Sequence, residues 1–152
     1  MRLVVQRASR AAVRVDGEVV GEIGRGSVVL LGIGAGDDAA LADRMADKLA
    51  WLRYFQDAAG QTNLTLADAE GSFLVISQFT LYADLRRGRR PGFTDAALAE
   101  VAAPLVDRFV ERLRELGHRV ATGRFGATMD VELVNDGPFT LVLDSARDLG
   151  GV

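Results

Sequence analysis

The sequence predicts an α+β fold, a single domain with a largely antiparallel, barrel-like β-sheet and two main helices. Three observations carry this. Asp16-Gly17, flanked by loosely alternating apolar residues, is a strong hairpin signal. Ser27–Ile33 and Ser72–Phe79 are near-continuous apolar runs of strand length, as expected of buried strands. Leu41, Met45, Leu49 and Leu52, and later Leu98, Val101, Leu105, Phe109, Leu113 and Leu116, recur at helical spacing. About six or seven strands against two helices, with hairpins early and late, point to α+β. At 152 residues the chain is expected to form one domain over 1–152, with enough length for a real core.

In chain order, residues 3–15 form the first strand, Glu18–Ile23 the returning one, and Gly24-Arg25-Gly26 the next turn. The buried run from Ser27 leads through Gly32-Ile33-Gly34-Ala35-Gly36 into a helix over 38–55, with Asp37 or Asp38 as its cap. The glycine spacing fits neither phosphate-binding fingerprint and reads as a flexible strand-to-helix connection. A turn at Asp57–Gly60 precedes a polar loop with a short strand at Leu64–Leu66. The strand from Ser72 then delivers Ser77 to Thr80 to its far end. An arginine-rich loop over 82–95 is closed by Pro91-Gly92. Pro104 lies inside the second helical pattern and either kinks that helix or begins it. Met129–Val134 and Phe139–Leu143 read as strands separated by an Asn135-Asp136-Gly137 turn. Residues 144–152 lack periodicity and read as a flexible tail.

Composition narrows the chemistry. With no cysteine, disulfides, thiolate metal sites and cysteine nucleophiles are excluded. With one histidine, His118, a His-rich metal site is impossible, and the acidic residues form no sequence cluster that recommends a metal; no cofactor is expected. His118 follows Gly117 at a helix end, where an imidazolium would complement the dipole. A net charge of −3 argues against a generic nucleic-acid coat, and no DNA partner is expected. No apolar stretch is long enough to span a bilayer, so a cytoplasmic protein without a membrane partner is the expectation.

Two polar-tipped segments stand out. One is Ser77-Gln78-Phe79-Thr80-Leu81 and the other Asn135-Asp136-Gly137-Pro138-Phe139-Thr140. Gly-Pro allows close backbone approach, fixes φ and can aim two carbonyl oxygens in one direction, a geometry suited to an ammonium group. Thr80 and Ser77 lack a nearby base in sequence; the Ser77 hydroxyl reads as a strand-end partner, Thr80 stays open between that role and a nucleophile, and the amides around Phe79 and Thr80 could instead serve as oxyanion donors. Asp136 reads as a turn residue rather than a base. Arg86, Arg87, Arg89 and Arg90 read first as a solvated loop, with phosphate contact as the alternative. Phe125, Met129 and Trp51 read as core, although Phe125 and Met129 are close to the second segment.

Both segments resemble the two signatures of the D-aminoacyl-tRNA deacylases, and the likeness extends over nearly the whole chain. It includes Val4-Val5-Gln6-Arg7-Ala8-Ser9-Arg10, Arg89-Arg90-Pro91-Gly92-Phe93 and Thr122-Gly123-Arg124-Phe125-Gly126-Ala127-Thr128-Met129. The resemblance implies a homodimeric hydrolase that cleaves the ester joining a D-amino acid to the 3′ end of tRNA. It also implies a cis Gly137-Pro138 peptide that reaches into the partner subunit's pocket. Carried over, Ser77, Gln78, Phe79 and Thr80 form the catalytic strand end, and Gly137, Pro138, Met129, Phe125, Asn135 and Thr140 bind the substrate. The carbonyls of Gly137 and Pro138 would receive the α-ammonium, so an L side chain would strike the wall that a D side chain avoids. Many D side chains, and achiral glycine, should then be admitted. The missing base near Thr80 favours assistance by the ribose hydroxyl of the tRNA over a threonine nucleophile.

Rival readings remain at this level. They are an editing deacylase for a mischarged L-amino acid, an esterase with a Thr80 nucleophile, and a non-catalytic RNA-binding module using the arginine loop. Acidity and the lack of clustered exposed aromatics count against the last.

Overall fold

The computed structural model describes residues 1–150. Asp16 and Gly17 both take positive φ, at 51° and 82°, which is what a two-residue hairpin requires. They join β1 (Arg2–Val15) to β2 (Glu18–Ile23). β3 (Gly26–Gly32) then runs antiparallel beside the first half of β1. From there the chain enters α1 (Ala39–Ala50), whose cap is Asp38, its side chain accepting from the Leu41 amide at 2.8 Å. A small ribbon of β4 (Phe55–Gln56) and β5 (Thr62–Leu64) precedes β6 (Ser72–Ser77). A 3-10 turn, Phe79–Tyr82, follows immediately. α2 (Ala99–Glu115), β7 (Val120–Thr122), β8 (Asp130–Asp144) and the short α3 (Ser145–Asp148) complete the chain.

The sheet is mixed, and this qualifies the antiparallel expectation. β1 pairs antiparallel with β2, β3 and β8, but β3–β6 and β6–β7 are parallel. Parallel neighbours require long crossovers, and α1 and α2 lie in those two connections. At the open side Gly21 lets β2 approach β7 closely: a Cβ there would lie 2.3 Å from the Thr122 carbonyl oxygen. The result is a nearly closed barrel.

Strands buried on both faces explain the continuous apolar runs. Val29, Leu31, Phe73 and Val75 face the helices, in a core that includes Met45, Leu49, Phe109 and Leu113. The alternate residues Val28, Leu74 and Ile76 join Ala8, Ala11 and Val13 in a second cluster. β1 therefore changes allegiance along its length: Leu3 and Val5 belong to the first cluster, Ala11 and Val13 to the second. The switch coincides with register shifts against β8 between Gln6 and Arg10.

Several local expectations are corrected. α1 stops at Ala50, with Trp51 at its C-cap, because the chain turns extended into β4. Trp51 is 73% exposed, not core. It follows Leu49 by two residues, about 200° around a helix and hence opposite the apolar stripe. α2 begins before Pro104 and continues through it. The segment read as a tail carries α3, capped by the Asp144 side chain accepting from the Ala146 amide at 3.0 Å, with Leu149 packed on the main core. Residues 151 and 152, the end of that expected tail, lie outside the described residues. Among the described residues no helix is long and apolar enough to cross a membrane.

Candidate functional site

β6 delivers Ser77 to the rim of a pocket of about 400 Å³. Ser77, Gln78 and Phe79 form one wall, Leu31 and Ile33 at the end of β3 another, and Ala97, Ala102 and Val106 a third. Phe93 and Phe125 stand at the mouth, with the Phe93 ring edge-on to Phe79 at 5.0 Å. Phe125 is 41% exposed, so it is a pocket residue and not core.

Thr80 is exposed beyond the rim. Its hydroxyl oxygen accepts from the Gln78 amide nitrogen at 2.5 Å, and that partner is a donor, not a base. The backbone N–H groups of Phe79 and Thr80 have no acceptor within the chain among the described residues, whereas Gln78 N–H donates to Leu31 and Leu81 N–H to Gln78. Two adjacent amides are thus free at the edge of an apolar pocket, which is the arrangement needed to receive a developing oxyanion.

His118 lies at the other end of β6, its ring edge-on to Phe73 at 5.2 Å. Four residues at about 3.3 Å each separate Phe73 from Ser77, roughly 13 Å. Burial pushes the His118 pKa below the ordinary imidazole value, which works against the imidazolium considered from its helix-end position.

The second polar segment is not a hairpin turn. β8 continues in the same direction, but its register with β1 jumps from Gln6–Thr140 to Ala8–Asn135. Residues 136–139 are consequently looped out opposite Arg7. The Asn135 side chain closes this loop, donating to the Phe139 carbonyl at 3.0 Å and to the Arg7 carbonyl at 2.8 Å, and accepting from the Phe139 amide at 3.2 Å. Gly137-Pro138 is cis and exposed at the loop's tip. The Thr140 hydroxyl accepts from Gln6 at 3.3 Å.

Beneath the loop lies a residue that motif reading passed over. Arg7 is only 5% exposed. Its Nη1 donates to the Tyr54 carbonyl at 2.7 Å, its Nε donates to the Asp136 carbonyl at 2.9 Å, and its guanidinium sits 4.6 Å from the Phe139 ring centre. The available signal was an arginine at the inward position that follows Leu3 and Val5 in the alternation of β1.

None of the residues lining the pocket belongs to β8. Within one chain, therefore, Ser77, Gln78, Phe79 and Phe125 come together, whereas Asn135, Gly137, Pro138 and Thr140 occupy the other edge of β1. Met129 packs on the second core cluster, its sulfur accepting from the Arg124 amide at 3.4 Å just before Phe125. Arg86 folds back on Asp84, with contacts of 2.8 and 2.9 Å that hold the Asp84 carboxyl at about 2. Arg87, Arg89 and Arg90 are exposed in the same loop. Among the described residues no group of three or more His, Asp or Glu side chains could hold a metal ion.

Residues 4–144 match the sequence model of a family described as D-Tyr-tRNA(Tyr) deacylase. A D-aminoacyl-tRNA deacylase of Roseiflexus sp. is 62% identical over 96% of this chain and 94% of the relative. One from Symbiobacterium thermophilum is 59% identical over 97% of each. Among solved structures, one named c-Myc DNA Unwinding Element Binding Protein superposes with a TM-score of 0.89 at 39% identity, covering 95% of this chain and 98% of its own. A probable eukaryotic D-amino acid tRNA deacylase shares the fold, with a TM-score of 0.81 at 20% identity over 93% and 97%.

Proposed function

The chain belongs to the D-Tyr-tRNA(Tyr) deacylase family, and from that premise we propose that it hydrolyses D-aminoacyl-tRNA to free D-amino acid and tRNA in the cytoplasm. The observation that carries the mechanism is the pair of Phe79 and Thr80 amides without an acceptor beside the pocket, together with a Thr80 hydroxyl that, among the described residues, is hydrogen-bonded to no side-chain base. The terminal adenosine, the group next to the ester in the substrate, occupies the apolar pocket between Phe79 and Ala102. The ester carbonyl then meets the two amides. Water attacks the carbonyl carbon, the bond to the ribose 3′-oxygen breaks, and the neighbouring 2′-hydroxyl relays the proton to that oxygen.

The active unit in this reading is a homodimer. Among the described residues β8 pairs with β1 alone; Val131, Val134 and Val142 are exposed on it, and an unpaired apolar strand is suited to a second copy. The partner's looped-out segment completes the pocket, its Gly137 and Pro138 carbonyls receiving the substrate's ammonium. Asn135 closes that loop, Thr140 anchors its far end, and the Met129 sulfur holds the Arg124 amide next to Phe125. With ammonium and ester both fixed, an L side chain meets the loop and a D side chain points away. Glycine, with no side chain, is admitted. Arg87, Arg89 and Arg90 supply phosphate contacts near the pocket mouth, while Arg86 is partly neutralised by Asp84.

The mechanism is tested with Thr80→Ala and with a D-aminoacyl-tRNA ending in 2′-deoxyadenosine. Thr80→Ala is expected to retain turnover within about threefold, and the deoxy substrate to react roughly 100-fold or more slowly, the scale of lost proton-transfer assistance. The reverse pattern would establish a threonine nucleophile.

A further inference from the structure

We propose that Arg2 is a positioning residue for this reaction, fixing the 3-10 turn that presents the Phe79 and Thr80 amides. Its Nη1 donates to the Leu81 carbonyl at 2.9 Å, and its guanidinium carbon lies 4.5 Å from the centre of the Tyr82 ring. Both contacts fall on the second half of the turn Phe79–Tyr82. The turn also rests on two glycines, one of them Gly32, the cross-strand partner of Arg2. A Cβ at Gly34 would lie 2.7 Å from the Tyr82 ring, and one at Gly32 would lie 3.0 Å from the Gln78 carbonyl oxygen. The turn is thus held by a glycine floor that admits no side chain and by the Arg2 cation on the strand paired with it.

Arg2 is itself anchored. Its Nε donates to Asp144 at 2.8 Å, at the end of β8, the strand that carries the looped-out Gly137-Pro138 segment. One planar guanidinium therefore contacts the amide-bearing turn through Nη1 and the strand of the substrate wall through Nε. Lysine cannot reproduce this, because it offers one compact charge in place of a rigid fork. Arg2 touches neither pocket nor substrate, so it acts through the placement of the two amides. Oxyanion donors must lie within a few tenths of an ångström of their working position, and a misplacement of about 1 Å can cost on the order of 100-fold in rate.

The inference rests on the proposed deacylase activity for its kinetic consequence but not for its structural one, and the two are measured separately. In Arg2→Met, amide hydrogen exchange at Leu81 and Ala83, the hydrogen-bonded amides of the turn, should accelerate by about tenfold through local opening while the core helices are unchanged. With D-tyrosyl-tRNA, kcat should fall about tenfold or more with KM within twofold, and Arg2→Lys should recover part of kcat. Unchanged exchange at the turn overturns the proposal. So does faster exchange with wild-type kcat, or a loss confined to KM. If the wild-type protein does not turn over the ester while exchange still rises in Arg2→Met, the clamp on the turn stands and its catalytic role falls with the deacylase reading.

Discussion

Ala102→Trp is expected to cut turnover of D-aminoacyl-tRNA by at least about 100-fold while leaving the protein folded. Ala102 lies on α2 and faces the pocket, one turn before Val106. An indole there would fill much of the roughly 400 Å³ pocket proposed to receive the terminal adenosine. Ala102 is 8% exposed and sits where the main core meets the pocket, so the usual penalty of about 1–3 kcal/mol for overpacking is offset only in part by the open volume beside it. kcat/KM should drop by at least about 100-fold, equivalent to roughly 2.7 kcal/mol of transition-state binding. The melting temperature should move by no more than about 4 °C, the shift produced by roughly 1 kcal/mol in a chain of this size. Steady-state kinetics and a thermal melt on the same preparation decide the matter. Near-normal turnover would place the substrate elsewhere.

The second large effect belongs to Arg7. Arg7→Met keeps the side-chain length but removes the donors to Tyr54 and Asp136 and the cation beside Phe139. A hydrogen bond to a charged donor contributes about 1.5–3 kcal/mol, and the Tyr54 carbonyl, buried in the native fold, is left unsatisfied. A stability loss of roughly 2–4 kcal/mol is expected, read as a lower midpoint in urea with an unchanged slope. The Asp136 carboxylate is about half exposed and can turn to water, which keeps the loss below that of a fully buried pair. Activity should fall further than stability explains, because the loop bearing Gly137 and Pro138 loses the support beneath it. A midpoint within error of the wild type would show that Asn135 alone holds the loop.

What could be read from sequence follows a physical line. The Asp16-Gly17 hairpin was legible because only a few residues tolerate two successive positive φ values. The helices were legible from their apolar stripes, and their lengths less so, since Trp51 ends α1 where tertiary pairing of Phe55 with Leu64 takes over. The parallel pairings were not legible: Ser72–Ser77 carries the same apolar run whichever way its neighbours point. Likewise, Asn-Asp-Gly has the chemistry of a hairpin turn, but here β1 continues past it on both sides and forces a looped-out segment instead. α3 was missed because a four-residue helix has too few turns to show a period.

The candidate site was legible as two segments and not as one place. Ser77, Gln78 and Phe79 do share a pocket with Phe125, while Gly137 and Pro138 lie outside that pocket on a different strand. Arg7 and Arg2 were invisible to motif reading because their partners are mostly backbone carbonyls and rings distant in sequence. For Arg7 the signal to look for is a buried arginine at an inward strand position; Arg2, on the other face of β1, carries no such mark.

The proposed loop of Gly137 and Pro138 would let this enzyme remove D- but not L-amino acids from tRNA. Hydrolysis of matched D-tyrosyl- and L-tyrosyl-tRNA by the purified protein, against a no-enzyme control, tests this. Loss of the D ester is expected, with the L ester surviving at its spontaneous rate. Equal loss of both esters, or survival of both, would contradict it.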